Sequence, residues 1–113
     1  MEIKKSIKPV NYEKAVRFLE KRIEDLNNKE SDELLWILQH GEIYTAGTSS
    51  KQSEILNKSI KVKITNRGGK ITLHNPGQTI VYFMLNLNNR KKDIRKFINI
   101  IENSVIQFLQ TYK

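Results

Sequence analysis

The chain has 113 residues with no cysteine, and its 20 Lys+Arg against 12 Asp+Glu leave a net charge of +8. That length holds one domain with an ordinary hydrophobic core. The missing thiol excludes disulfides, thiolate metal ligands and a cysteine nucleophile within these residues.

Residues 1–10 read as a short basic lead. Met1-Glu2-Ile3-Lys4-Lys5-Ser6-Ile7-Lys8 lacks the continuous apolar stretch of a secretory signal. Tyr12, Ala15, Val16, Leu19, Ile23 and Leu26 then fall at helical spacing, which predicts an amphipathic helix over 11–29 with Asn11 as its N-cap. The polar run 27–32 ends it. Leu34 to Leu38 is a short apolar run of the kind that forms a strand buried on both faces, followed by a loop at His40-Gly41. Glu42 to Thr45 reads as a brief strand or turn, 46–50 as a loop and 52–57 as a short helical turn. Lys61 to Thr65 alternates like a half-buried strand. Asn66 to Gly69 reads as a turn and Lys70 to Leu73 as extended. Pro76 and Gly77 fit the two central positions of a type II turn over 74–78. Ile80 to Leu85 is the most strand-like segment and is too short to span a bilayer. Ile94, Phe97, Ile98, Ile101, Val105, Phe108, Leu109 and Tyr112 mark a helix over 93–112, capped by Asp93. Strands grouped between two helices predict an α+β fold. The chain reads as soluble and cytoplasmic.

Several chemistries fail on spacing. Gly69-Lys70 resembles the end of a phosphate-binding loop, but Ile71 stands where Ser or Thr must hold magnesium. His40 and His74 are the two histidines, and no ligand pair has metal-site spacing, so no metal is predicted. The positive charge admits a nucleic acid, an anionic membrane or an acidic protein as partner. It is carried by 15 Lys against 5 Arg, a skew that an AT-rich coding sequence produces without selection for binding. Lys91, Lys92, Arg95 and Lys96 cluster at the start of the last helix, where a solvated face is preferred to a docking point for an acidic protein.

The segment from Arg67 to Gln78 reads Arg-Gly-Gly-Lys-Ile-Thr-Leu-His-Asn-Pro-Gly-Gln. Two glycines let a ligand approach the backbone, Arg67 offers a fixed cation, and His74 offers a neutral donor or acceptor. Thr72 and His74 share one side of an extended segment. On spacing alone, a tight hairpin turning at Gly68-Gly69 with His74 merely packed is the favoured reading.

This segment resembles the ligand-binding motif of the lipoyl(octanoyl) transferase family of lipoate biosynthesis, Arg-Gly-Gly-x-x-Thr-x-His-x-Pro-Gly-Gln. It is matched at Arg67, Gly68, Gly69, Thr72, His74, Pro76, Gly77 and Gln78. Val81-Tyr82 and Leu85-x-Leu87 resemble the strand that follows. Trp36 to His40, with Tyr44-Thr45-Ala46-Gly47-Thr48, resembles an upstream strand and loop. The chain departs from the pattern at Asn75, where the family usually has Gly, at Phe83 in place of a proline, and at His40-Gly41-Glu42 in place of His-Pro-Pro.

The resemblance implies part of a biotin/lipoyl ligase-like fold, a mixed sheet with flanking helices, with residues 1–113 forming a single incomplete catalytic domain. It implies transfer of an octanoyl group from acyl carrier protein to a lysine of lipoyl domains in 2-oxoacid dehydrogenase or glycine cleavage complexes, without a cofactor. The family's cysteine and its partner lysine would lie beyond residue 113, so the chain alone is expected to be inactive. Arg67, Gly68, Gly69, Lys70, Ile71, Thr72, Leu73 and His74 would line the substrate pocket, with His40 and Tyr44 as further candidates. A non-catalytic acyl- or carrier-binding module is the rival reading. A small basic nucleic-acid-binding domain is disfavoured because only Tyr82-Phe83 offers a stacking strand.

Overall fold

Six strands divide between two mixed three-stranded sheets in the computed structural model, which describes residues 1–56, 59–90 and 93–112, with the side chains of 89 and 90 set aside. The elements run β1 (Glu2–Lys5), α1 (Tyr12–Asn27), β2 (Leu34–Leu38), β3 (Ile43–Ala46), β4 (Val62–Ile64), β5 (Ile71–His74), β6 (Ile80–Met84) and α2 (Ile94–Leu109). Short 3-10 turns occupy Gln52–Glu54 and Leu87–Arg90. The α+β expectation holds. Lys91 and Lys92, half of the basic cluster noted above, and Asn57, in the expected helical turn, lie outside the described residues.

Sheet 1 has the order β1-β2-β6, with β1 parallel and β6 antiparallel to β2. The opening residues are therefore a strand and not a basic lead. Ile3 pairs with Leu35 and Lys4 with Trp36, and α1 makes the crossover that a parallel pair requires. Arg22 on α1 fixes that crossover, donating to the Glu2 carboxylate at 2.6 Å and to the Asp32 carbonyl at 3.0 Å. Lys4 Nζ sits 4.2 Å above the Phe18 ring.

One face of sheet 1 makes the core. Leu34, Trp36 and Leu38 point there and meet Ala15 and Leu19 of α1, with Phe18, Ile80, Tyr82 and Met84 packed around them. Burial of each large apolar side chain is worth about 1.5–3 kcal/mol, so this layer dominates stability. Asn11 caps α1 as expected, accepting from the Lys14 N–H at 3.0 Å. Ile23, expected on the apolar stripe, is half-exposed and lines an open groove with Leu26 of α1 and Phe83 and Met84 of β6. The other face of sheet 1 is different. Leu35 and Ile37 are only partly covered and Ile3 is 68 % exposed, which corrects the expectation of a strand buried on both sides.

Sheet 2 has the order β4-β3-β5, with β4 parallel and β5 antiparallel to β3. Gly68-Gly69 thus does not turn a hairpin. The chain passes from one outer strand to the other across β3. The turn after β5 is the expected one: Gln78 N–H donates to the Asn75 carbonyl at 3.1 Å and Gly77 has φ of +92°. Gln39 at the end of β2 anchors it, its Oε1 accepting from the Gly77 N–H at 2.9 Å. Asn75 has a negative φ, so it stands in place of the family's glycine without strain. Among the described residues no helix is long and apolar enough to cross a membrane.

Candidate functional site

Two glycine-bearing loops, 46–50 after β3 and 67–70 before β5, are laced together by backbone hydrogen bonds. Thr48 N–H donates to the Arg67 carbonyl at 2.8 Å, Ser49 N–H to Gly69 at 3.0 Å and Gly47 N–H to Lys70 at 3.3 Å. Gly47 is buried at the crossing. A Cβ there would collide with the Gly69 carbonyl oxygen and stand 2.7 Å from Arg67 Nη1, so only glycine fits. Gly69, like Gly77, has φ of +92°, a left-handed backbone that favours glycine.

Arg67 is the knot of this junction. Its Nη2 donates to the Thr45 carbonyl (2.7 Å), Thr45 Oγ1 (2.8 Å) and the Lys70 carbonyl (2.8 Å). Nε reaches Thr45 Oγ1 at 3.2 Å and Nη1 the Gly68 carbonyl at 2.8 Å. Every acceptor is neutral, so the side chain braces the loop and its charge is not cancelled by a carboxylate. The Gly68 and Gly69 carbonyls are thereby used within the junction, whereas their N–H groups donate to nothing among the described residues.

Thr45 is fully buried and links the junction to His74, whose Nε2 lies 3.3 Å from Thr45 Oγ1. The threonine oxygen already accepts from the guanidinium, so its own proton is left to donate to Nε2. That places the neutral ring's proton on Nδ1, a buried atom that makes no hydrogen bond. Burial first, then the neighbouring His40, hold the His74 pKa below the ordinary histidine value, against a smaller opposite pull from the Gln78 side chain, which does not close a bond to Nδ1.

Four rings surround this point. His74 stacks on Tyr12 at 6.0 Å and meets His40 edge-on at 5.7 Å. His40 is fully buried, with Nδ1 2.8 Å from the Val10 carbonyl and Nε2 2.8 Å from the Tyr82 hydroxyl. A carbonyl only accepts, so Nδ1 carries the proton, and in the neutral ring Nε2 accepts a hydrogen bond from the Tyr82 hydroxyl. Burial pushes the Tyr82 hydroxyl up to about 12, which keeps it a donor.

The structure brings together Arg67, Gly68, Gly69 and His74 with His40, but it scatters the other predicted residues. Side chains alternate along β3, so Tyr44 points to the face opposite Thr45 and away from His74. Leu73, its register partner, goes the same way. Thr72 pairs with Thr45 but is exposed. Lys70 offers its carbonyl inward while its ammonium lies 3.8 Å from Glu54. Ile71 lines a groove of about 920 Å³ on the Tyr44 face of sheet 2, alongside Ala46, Gly47, Ile55 and Val62. No other predicted pocket residue lines that groove. Sequence reasoning missed Thr45, Gly47, Tyr12 and Tyr82. Thr45, Gly47 and Tyr82 stood inside segments already matched to the family, and that was the available signal. Nothing local marked Tyr12 as more than a helix-face residue.

Known proteins place these motifs in context. Residues 11–113 match the family described as the lipoyl protein ligase A/B catalytic domain. The chain is 44 % identical over 104 residues to an octanoyltransferase of Wolbachia sp. subsp. Brugia malayi (strain TRS), covering 91 % of this chain and 51 % of that protein. It is 41 % identical over 102 residues to the octanoyltransferase of Paracoccus denitrificans (strain Pd 1222), covering 90 % and 47 %. It is 41 % identical over 114 residues to that of Ehrlichia ruminantium (strain Gardel), covering 99 % and 55 %. The chain spans about half the length of these relatives. A match across nearly its whole extent is decisive for kinship: the chain belongs to the lipoyl protein ligase A/B catalytic domain family and is a homologue of the octanoyltransferases.

Proposed function

We propose that this chain is the substrate-pocket part of an octanoyltransferase acting in protein lipoylation, with residues 1–113 forming part of one catalytic domain. The reaction moves an octanoyl group from acyl carrier protein to a lysine of a lipoyl domain through a cysteine thioester. The observation that carries the reading is the Arg67–Gly69 junction. Its carbonyls are consumed by Arg67 and loop 46–50, and the Gly68 and Gly69 N–H groups remain to meet a carbonyl oxygen. The uncancelled guanidinium favours negative charge developing on that oxygen. His74, neutral and held by Thr45, flanks the same loop.

The chain has no cysteine, so the thioester-forming group is not among its residues. Incubation of the purified chain with octanoyl-acyl carrier protein and a lipoyl domain is therefore expected to leave the lipoyl domain at its unmodified mass. An octanoyl mass increment produced by this chain alone would overturn that part of the reading. The pocket part has its own test. In a hybrid in which this chain is joined to the remaining part of the Paracoccus denitrificans octanoyltransferase, Gly69→Val and His74→Ala should each lower acyl loading by about tenfold or more, equivalent to 1.4 kcal/mol. Undiminished loading in both variants would remove the pocket assignment.

A further inference from the structure

Two buried side-chain polar atoms lack a hydrogen-bond partner among the described residues, Ser50 Oγ and His74 Nδ1. The second belongs to the candidate site, and its protonation is decided from the opposite side of the ring. Thr45 Oγ1 has two lone pairs and one proton. Arg67 Nε and Nη2 donate to that oxygen at 3.2 and 2.8 Å, so both lone pairs are used. The proton is left for His74 Nε2, 3.3 Å away. A reversed bond, with Nε2–H donating, would give the oxygen a third donor and strand its own proton in a fully buried residue. His40 is held in the same tautomer by different neighbours, the Val10 carbonyl at Nδ1 and the Tyr82 hydroxyl at Nε2, both at 2.8 Å. The basic nitrogen of each ring is thus covered by a hydroxyl. The rings differ at Nδ1, which has an acceptor in His40 and none in His74.

We infer that Thr45 is a positioning residue for acyl transfer: locked by Arg67, it closes Nε2 of His74 and keeps the ring proton on Nδ1, so that His74 meets an oxygen of the acyl substrate as a neutral donor and not as a base. A buried donor without an acceptor is costly, and the carbonyl oxygen of a thioester arriving at Nδ1 removes that cost. A base needs a free lone pair, and neither histidine has one. Burial of the His74 ring works in the same direction, since it disfavours the charged form that a base would become. Thr45 itself touches no substrate and acts through His74. This role rests on the octanoyltransferase reading, in which His74 flanks the acyl group.

Ring-nitrogen NMR of the isotope-labelled full chain reads the tautomer directly, without substrate. At about pH 8, where the His74 ring is neutral, its proton is expected on Nδ1. Thr45→Val keeps the shape and removes the hydroxyl. It should give a mixed or Nε2–H ring, and His74 should titrate at higher pH because the hydrogen bond favouring its neutral form is gone. Thr45→Ser should return both readouts to those of the parent, and the His40 ring should be unchanged in either variant. In the hybrid with the remaining part of the Paracoccus denitrificans octanoyltransferase, Thr45→Val should slow acyl loading at saturating octanoyl-acyl carrier protein roughly tenfold or more, with the half-saturating concentration little changed. Thr45→Ser should recover most of that rate. A proton on Nε2 in the parent, a His74 ring indifferent to Thr45→Val, or equal changes at His40 would each overturn the inference. So would a hybrid in which Thr45→Ser loads as poorly as Thr45→Val, or Thr45→Val as well as the parent. If circular dichroism shows Thr45→Val to be unfolded, the parent spectrum decides, a proton on Nδ1 upholding the inference. Because the tautomer is read without acyl transfer, a locked ring together with loading that survives His74→Ala counts against the pocket reading alone.

Discussion

At Gly47 a single hydrogen stands where any other residue would put a methyl group against the Gly69 carbonyl and the Arg67 guanidinium. Both neighbours are fixed, one by backbone bonding and the other by its acceptors, so neither can retreat cheaply. Gly47→Ala should destabilise the protein by about 1–3 kcal/mol, the usual cost of overpacking. Gly41, with open space around it and no left-handed backbone, provides the control, and Gly41→Ala should melt like the parent. Indistinguishable thermal melts for both variants would disprove the crowding at the junction. His74 makes a pH-dependent contribution. Its folded pKa lies below 6.5 through burial and the nearby His40, so the unfolded chain binds more protons across that interval. The contribution is complete above 6.5 and is lost as pH falls through the folded value. Melting temperature should therefore drop more steeply below 6.5 in the parent than in His74→Gln, and parallel curves would show that His74 is not the cause.

At the scale of elements, the two helices share a length and an N-cap chemistry but differ in what they rest on. Asn11 caps α1, which holds Ala15 and Leu19 against the core, and Asp93 caps α2, which buries nothing. Asn11→Ala should lower the stability reported by Trp36, the single tryptophan, by about 1 kcal/mol. Asp93→Ala should reduce helical circular dichroism and leave the Trp36 transition in place. Equal effects on that transition would mean that α2 is coupled to the core. Caps, the turn at Asn75–Gln78 and the apolar strands were readable because each depends on residues a few positions apart. β1 was not, since Glu2-Ile3-Lys4-Lys5 has little strand character and its pairing is dictated by β2, 32 residues on in the chain. Tyr44 was misplaced for a related reason. Which of two alternating side chains faces His74 is decided by the β3–β5 register, and a sequence does not print that register. Arg67, Gly68, Gly69 and His74 could be named from spacing and resemblance together, but Arg67's part as a brace became visible only once Thr45 was beside it.

For the whole molecule, the order of strands along the chain and their order in space disagree in a way that bears on how the structure is reached. The pairing of Leu38 with Ile80 closes a loop that contains all of sheet 2. The inner sheet joins segments closer in sequence: every β3–β4 pair is 18 residues apart, and the nearest β3–β5 pair, Ala46 with Ile71, is 25 apart. Loop-closure entropy favours these shorter connections, and each one formed shortens the effective span that β6 must cross to reach β2. The glycine junction belongs to that inner unit. The glycine-bearing loop is thus expected to assemble before the apolar layer that supports it, and synthesis must proceed past Met84 before sheet 1 can gain its last strand.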